Sequence, residues 1–142
     1  MTRDVQEIIK TAKRLNACDI ISQITDIKTA IGVLLTPQGR EFVQTTKYPS
    51  LDTFRENKAN FAEMENVYVD SGYIFTDNHN IVAVGNSDVT LCAFGTEALY
   101  HVLAMYGARV RIDARDYAVV TATSVDGNIE YTNDGTAVIA TE

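Results

Sequence analysis

The chain has 142 residues, a hydrophobic fraction of 46%, a charged fraction of 22% and a formal net charge of −7 at pH 7. These values are typical of a globular protein that folds as one compact domain, or as one domain with a smaller cap. All of the net charge lies in the second half: residues 1–66 hold nine Lys/Arg and nine Asp/Glu, whereas residues 67–142 hold three and ten. Because this half lacks the basic surface of a nucleic-acid binder, we expect no nucleic-acid partner.

The two cysteines and the hydropathy pattern indicate the compartment. Cys18 and Cys92 are too far apart for a metal or redox motif, and they suggest free thiols in a reducing environment. No apolar run approaches the roughly 18 residues that a membrane-spanning helix needs, and no signal-peptide pattern is present. We expect a cytoplasmic location where the chain is made, and no membrane partner.

Residues 1–65 are predicted to form a helical N-terminal unit. Apolar residues recur at helical spacing from Val5 to Leu15 and again from Ile20 to Leu35. Thr36-Pro37 predicts the start of a short helix that extends to Phe42. Tyr48-Pro49 predicts a break, and Ser50 a new helix start.

Residues 66–142 are predicted to form a β-rich repeat unit. The clearest strand has Ala108, Val110, Ile112 and Ala114 on one face, and Arg109, Arg111, Asp113 and Arg115 on the other. Leu99–Met105 fits either a strand or a helical turn, and Asp126-Gly127-Asn128 is a hairpin-type turn signal. The other predicted strands are 67–69, 73–75, 81–84, 89–93, 118–122, 129–131 and 137–140.

Two architectures fit these strands: an antiparallel β-sandwich, or a short parallel β-helix or β-roll of about three coils. The small inward residues favour the β-helix, so the expected fold class is α+β with a helical unit followed by a β-helix. Such a stack has open edges at both ends. The helical unit is expected to cap one end, and the C-terminal residues or another subunit the other, which predicts a homo-oligomer.

No catalytic or metal-binding pattern stands out. Cys92 and His101 could form a thiol–imidazole pair, but no third orienting residue is recognisable. Asp77-Asn78-His79-Asn80 offers ligands for calcium, although such residues are also common in turns for backbone reasons. We therefore predict a non-enzymatic protein with no cofactor and no metal site.

The candidate partner-binding residues are the three arginines of the β-rich unit, Arg109, Arg111 and Arg115, with Tyr106 and Tyr117 nearby. One interpretation pairs the arginines with acidic neighbours on adjacent strands. The other makes them a basic strip that meets carboxylates of a partner protein.

Several segments resemble uncharacterised small proteins of bacterial phages and mobile elements over about residues 34–140. They are Gly39–Phe42, Tyr48–Leu51, Phe54-Arg55, Val67–Asp70 and Tyr117–Val120. The repeat pattern is also similar to the short β-helices of phage fibres and baseplates. This resemblance implies a phage context, a virion location and a structural or binding role, with no site residues to transfer.

The sequence thus predicts an interaction or assembly protein that binds itself or other assembly components, as a phage structural or accessory component. One alternative is an inhibitor that binds a host protein through its acidic surface. A second alternative is a thiol-dependent enzyme that uses Cys92 and His101.

Overall fold

The computed structural model describes residues 37–46, 50–62 and 66–141. The helices in these ranges are α1 (Pro37–Thr46), α2 (Leu51–Glu56) and α3 (Lys58–Ala62). α2 begins where predicted, because the Ser50 hydroxyl accepts a hydrogen bond from the Thr53 N–H at 3.2 Å and caps the helix. The predicted helices over Val5–Leu15 and Ile20–Leu35 lie outside the described residues, so a helical unit over residues 1–65 stays a prediction. None of the described helices is long and apolar enough to cross a membrane.

The strands lie in a unit that comprises residues 61–142. In the described part of this unit they are β1 (Val67–Val69), β2 (Gly72–Thr76), β3 (Asn80–Val84), β4 (Ser87–Phe94), β5 (Leu99–Met105), β6 (Arg109–Arg115), β7 (Val119–Val125), β8 (Asn128–Asn133) and β9 (Val138–Thr141). The ambiguous segment 99–105 is therefore a strand. Residues 102–105 of this strand are apolar on both faces, because both faces are buried there.

Two parallel sheets contain all of these strands. The odd sheet has the order β1-β3-β5-β7-β9, and the even sheet has the order β2-β4-β6-β8. Every strand pair within the two sheets is parallel. Successive strands alternate between the sheets, so the chain winds as a β-solenoid and makes roughly three turns from the β1–β2 pair to the β7–β8 pair. The predicted β-helix is confirmed, and the antiparallel sandwich is wrong.

The spacing between stacked residues varies along the solenoid. Val67 pairs with Val82, Ile81 with Val102 and Val119 with Val138, which are separations of 15, 21 and 19 residues. The strands keep their register while the corners differ in length. The repeat is therefore structural, and no fixed sequence period accompanies it.

The core lies between the two sheets and consists mainly of small and β-branched side chains. The predicted inward faces of β6 and β7 are confirmed, because Ala108, Val110, Ala114, Val120 and Ala122 are all fully buried. Short side chains allow the two sheets to approach closely. A second buried apolar row, which includes Val82, Val84, Leu103 and Met105, lies on the outer face of the odd sheet.

The corners of the solenoid need unusual backbone conformations. Asp116 and Tyr117 have φ values of 49° and 63°, in the left-handed region that residues other than Gly, Asn and Asp rarely adopt. At the corner between β7 and β8, a Cβ atom on Gly127 would lie 2.7 Å from the Ala104 carbonyl oxygen of the preceding turn. The predicted hairpin at Asp126-Gly127-Asn128 is therefore wrong: this glycine allows close stacking of two turns, and β7 and β8 lie in different sheets.

Candidate interaction site on the solenoid

The outer face of the even sheet carries the three arginines that the sequence singles out. Arg109, Arg111 and Arg115 alternate along β6 with the buried Val110, Ile112 and Ala114. Their neighbours on β4 across the sheet are Asp88, Thr90 and Phe94, respectively. The alternation along β6 thus places all three guanidinium groups on one solvent-facing surface, as predicted.

Each arginine forms an ion pair on this face. The Arg109 Nη2 donates to both Glu130 carboxylate oxygens at 3.0 and 3.1 Å, Arg111 pairs with Asp88 at 3.4 Å, and the Arg115 Nε donates to Asp113 at 3.1 Å. The Asp113 hydrogen bond and charge raise the pKa of Arg115, so this guanidinium stays charged. The structure supports the first interpretation, because each arginine pairs with an acidic neighbour on β4, β6 or β8. The pairing of Arg111 is incomplete, since its buried Nε and the buried Oδ1 of Asp88 have no hydrogen-bond partner among the described residues.

The two predicted tyrosines lie at opposite ends of β6. Tyr106 is half-buried at the corner between β5 and β6, where burial and the nearby Asp126 carboxylate raise its pKa to about 12. Tyr117 lies at the corner between β6 and β7 with 64% of its surface exposed, and its N–H donates to the Thr136 hydroxyl at 2.9 Å. The five predicted residues therefore do not form one cluster.

Aromatic side chains flank the ion pairs. Tyr73, Phe75 and Phe94 are each 64% exposed, and they lie on the outer face of the even sheet. Aromatic and arginine side chains are the types that protein interfaces favour. This face therefore has the composition of a protein-binding surface, although its charges are paired within the chain.

Cys92 and His101 are not brought together. Cys92 lies on β4 between the inward-facing Leu91 and Ala93, so its side chain faces outward from the even sheet. His101 lies on β5 between the inward-facing Tyr100 and Val102, so it faces outward from the odd sheet, and its Nδ1 is 2.7 Å from the Thr121 hydroxyl. Because the core separates the two side chains, the proposed thiol–imidazole pair does not form.

In the segment Asp77–Asn80, residues 77–79 form the corner between β2 and β3, and Asn80 begins β3. The Asn78 N–H donates to the Thr76 hydroxyl at 3.1 Å, and the His79 ring packs edge-on against Tyr100 with centroids 5.0 Å apart. Within the described ranges, no group of three or more His, Cys, Asp or Glu side chains is placed to hold a metal ion.

A second candidate surface is the terminal edge, which we define as the free edges of β8 and β9. These strands are the last members of their sheets, and no described strand pairs with their outer edges. All their side chains are exposed except Ile129 and Ile139, which are half-buried against the core. Val138 and Tyr131 are 59% and 55% exposed.

Along the terminal edge, alternate residues direct their backbone hydrogen-bonding groups toward the solenoid and toward the open side. The Asn128 and Asp134 N–H groups donate back to β6 residues or the adjoining corner, and the Val138 N–H donates back to Ala118. Because strand residues alternate in direction, Ile139 of β9 and residues 129, 131 and 133 of β8 direct their N–H and C=O groups to the open side.

The sequence predicts an open end but not which residues form it. An alternating pattern identifies strands, whereas the position of a strand in a sheet depends on register and winding. The usable signal is the uncharged sequence Val138–Thr141, since natural edge strands usually carry charged residues that prevent pairing. A search of family models, of curated proteins and of solved structures finds no match to this chain.

Proposed function

We propose that this chain is a non-enzymatic assembly protein, in which the β-solenoid is a rigid building block that binds further copies of the chain. The terminal edge is the observation that carries the proposal. It combines backbone groups that no described strand pairs, partly exposed core side chains and the uncharged strand β9, which together favour addition of another strand.

The outer face of the even sheet is the second argument for a binding role. Continuous parallel pairing of β2, β4 and β6 holds the exposed Tyr73, Phe75 and Phe94 on one sheet face, beside the ion pairs of β4, β6 and β8. Rigid aromatic anchors lose little conformational entropy on binding. Other assembly components are therefore the proposed partners of this face. A place in a phage particle stays a prediction of the sequence resemblance.

The experiment is the mass of the purified chain in solution, measured by light scattering after size exclusion over a range of loading concentrations. We expect a mass above the 15.7 kDa of one chain, rising to a defined limit as concentration increases. A mass of one chain at every concentration would contradict the assembly proposal.

The alternative function, an acidic inhibitor of a host protein, has one observation in its favour. The corners from the even to the odd sheet contain Asp77, Glu97, Asp116 and Asp134, one acidic residue in each turn. Stacked turns place such residues in a row along one edge of the solenoid. Binding to a basic host protein that weakens steeply as salt is added, by a chain that is itself monomeric, would favour the inhibitor over the assembly protein.

A further inference from the structure

The terminal edge has a step, because the odd sheet ends at β9 and the even sheet ends one strand earlier, at β8. From the geometry of this step we propose that the partner at the terminal edge is a second copy of the chain, related by a two-fold axis parallel to the strands. β9 of each copy then pairs with β8 of the other. This inference rests on the proposed assembly function and names its contact.

The winding of the chain determines how the strands meet. Consecutive strands run in opposite directions because a short corner joins each strand to one in the other sheet. A two-fold axis parallel to the strands keeps strand directions and exchanges the two sheets. β9 therefore runs antiparallel to the partner's β8, and the odd sheet of each copy continues into the even sheet of the other.

The step makes this arrangement self-complementary. The sheet with five strands meets the sheet with four strands on both sides of the joint, so neither side is left with a gap. An axis normal to the sheets would instead pair β9 with its own copy and leave the two β8 edges apart. A head-to-tail contact would place the terminal edge on the β1–β2 end of the next copy, and such a contact continues to a filament.

The pairing also satisfies the exposed groups of the terminal edge. Ile139 and residues 129, 131 and 133 direct their backbone groups toward the joint, while the side chains of Ile129 and Ile139 point into the core. The inward faces of the two copies lie on the same side of the continued sheets. The partly exposed core side chains of the two copies therefore meet and extend one core.

The two-fold axis also determines the register. Rotation about an axis parallel to the strands leaves positions along the strands unchanged, and the start of β9 lies across the core from the end of β8 because one corner joins them. Among the β8 residues whose backbone groups point away from the joint, Thr132 is the one nearest the end of the strand, so we infer that Ala140 lies beside Thr132 of the partner subunit. Both residues direct their backbone groups away from the joint, which makes them a non-hydrogen-bonded pair with Cα atoms about 4.5 Å apart.

A disulfide tests this register, since that separation suits a cross-strand bridge. The double variant Ala140→Cys/Thr132→Cys, made with Cys18→Ser and Cys92→Ser, is oxidised and analysed by non-reducing electrophoresis. We expect a covalent dimer from the double variant and none from either single variant. Linkage of the Ala140→Cys single variant would overturn the inference in favour of β9 pairing with its own copy.

A backbone substitution tests the pairing without new cysteines. Ile139→Pro removes an N–H that points to the joint and spares the β7–β9 hydrogen bonds, as proline at an exposed strand edge does. Ile139→Ala is the matched control, because it loses the side chain but keeps the N–H. We expect the dimer dissociation constant of Ile139→Pro to exceed that of Ile139→Ala by about tenfold or more, as measured by sedimentation over about 5 to 500 µM.

The outcomes separate the two proposals. A monomer at all concentrations overturns both the assembly function and the joint. If the chain dimerises, but Ile139→Pro leaves the dissociation constant unchanged and the double cysteine variant forms no disulfide, the proposed joint is wrong and the assembly function is still supported. A mass that grows beyond two copies overturns the two-fold axis in favour of head-to-tail stacking.

Discussion

At the scale of single residues, the corners decide which side chains the solenoid accepts. Gly127 has no room for a Cβ atom, because Ala104 of the preceding turn lies against it. Asp134 instead organises a corner through its carboxylate, which accepts hydrogen bonds from the Asp116 N–H at 3.0 Å and from the Thr136 N–H and hydroxyl at 2.9 and 2.6 Å. One position depends on the absence of a side chain and the other on a charge.

We expect Gly127→Ala to destabilise the protein by about 1–3 kcal/mol, since the new methyl group would force two stacked turns apart. Gly107→Ala is the control: a Cβ there would meet nothing within 4 Å, and its cost is only that of a left-handed conformation at φ 91°. Urea unfolding followed by circular dichroism measures both variants. A midpoint of Gly127→Ala equal to that of the native chain would contradict the close-packing argument.

The hydrogen bonds from Thr136 and Asp116 lower the pKa of Asp134 from 3.8 to about 2. A lowered folded-state pKa means that this carboxylate stabilises the fold above pH 4, and that this contribution is lost as the pH falls from about 4 to about 2. We expect the urea midpoint of the native chain to exceed that of Asp134→Asn at pH 5, and the difference to shrink at pH 2. A difference independent of pH would contradict the assignment.

At the scale of the strand, β6 separates packing from charge. Ile112 is buried between the sheets, whereas Arg111 next to it is half-exposed and pairs with Asp88 at 3.4 Å. We expect Ile112→Ala to cost about 2–4 kcal/mol through the cavity that it leaves. We expect Arg111→Ala to cost less than about 1 kcal/mol, because exposed ion pairs contribute little. Thermal unfolding of both variants measures the contrast, and a larger loss for Arg111→Ala would contradict it.

The sequence predicted these strands well for a physical reason. Alternation at positions 108–114 indicates directly which residues are buried, so the strand and its inward face can be predicted from the order of apolar and charged residues alone. The alternation does not show which strands are neighbours. Arg111 and Asp88 are 23 residues apart, and their contact depends on which residues of β4 and β6 pair. The residue types at Asp126–Asn128 suit solenoid corners as well as hairpins, so they do not distinguish the two. Cys92 and His101 are close in sequence, and only the winding shows that they face opposite sides.

At the scale of the whole molecule, the net charge of −7 opposes association. The proposed two-fold axis also places the Asp134 corners of the two copies on the same side of the joint. The described strands of the joint, β8 and β9, carry one charged residue, Glu130, and Arg109 neutralises it. We therefore expect the dimer to become tighter as salt rises from about 50 to 500 mM, because screening removes repulsion between like charges. Sedimentation at the two salt concentrations measures this, and weaker association in high salt would point to an ionic contact.

The parallel stacking has a consequence for local unfolding. Each turn of the solenoid contacts only the turns before and after it, so the stack behaves as a nearly one-dimensional array. Among the described strands, β9 has a neighbour on one side only, and its amide hydrogens should exchange with solvent before those of β5 and β6. A second copy on the terminal edge gives β9 its missing neighbour. Assembly and completion of the fold would then be a single event, which the slowing of amide exchange in β9 with protein concentration would record.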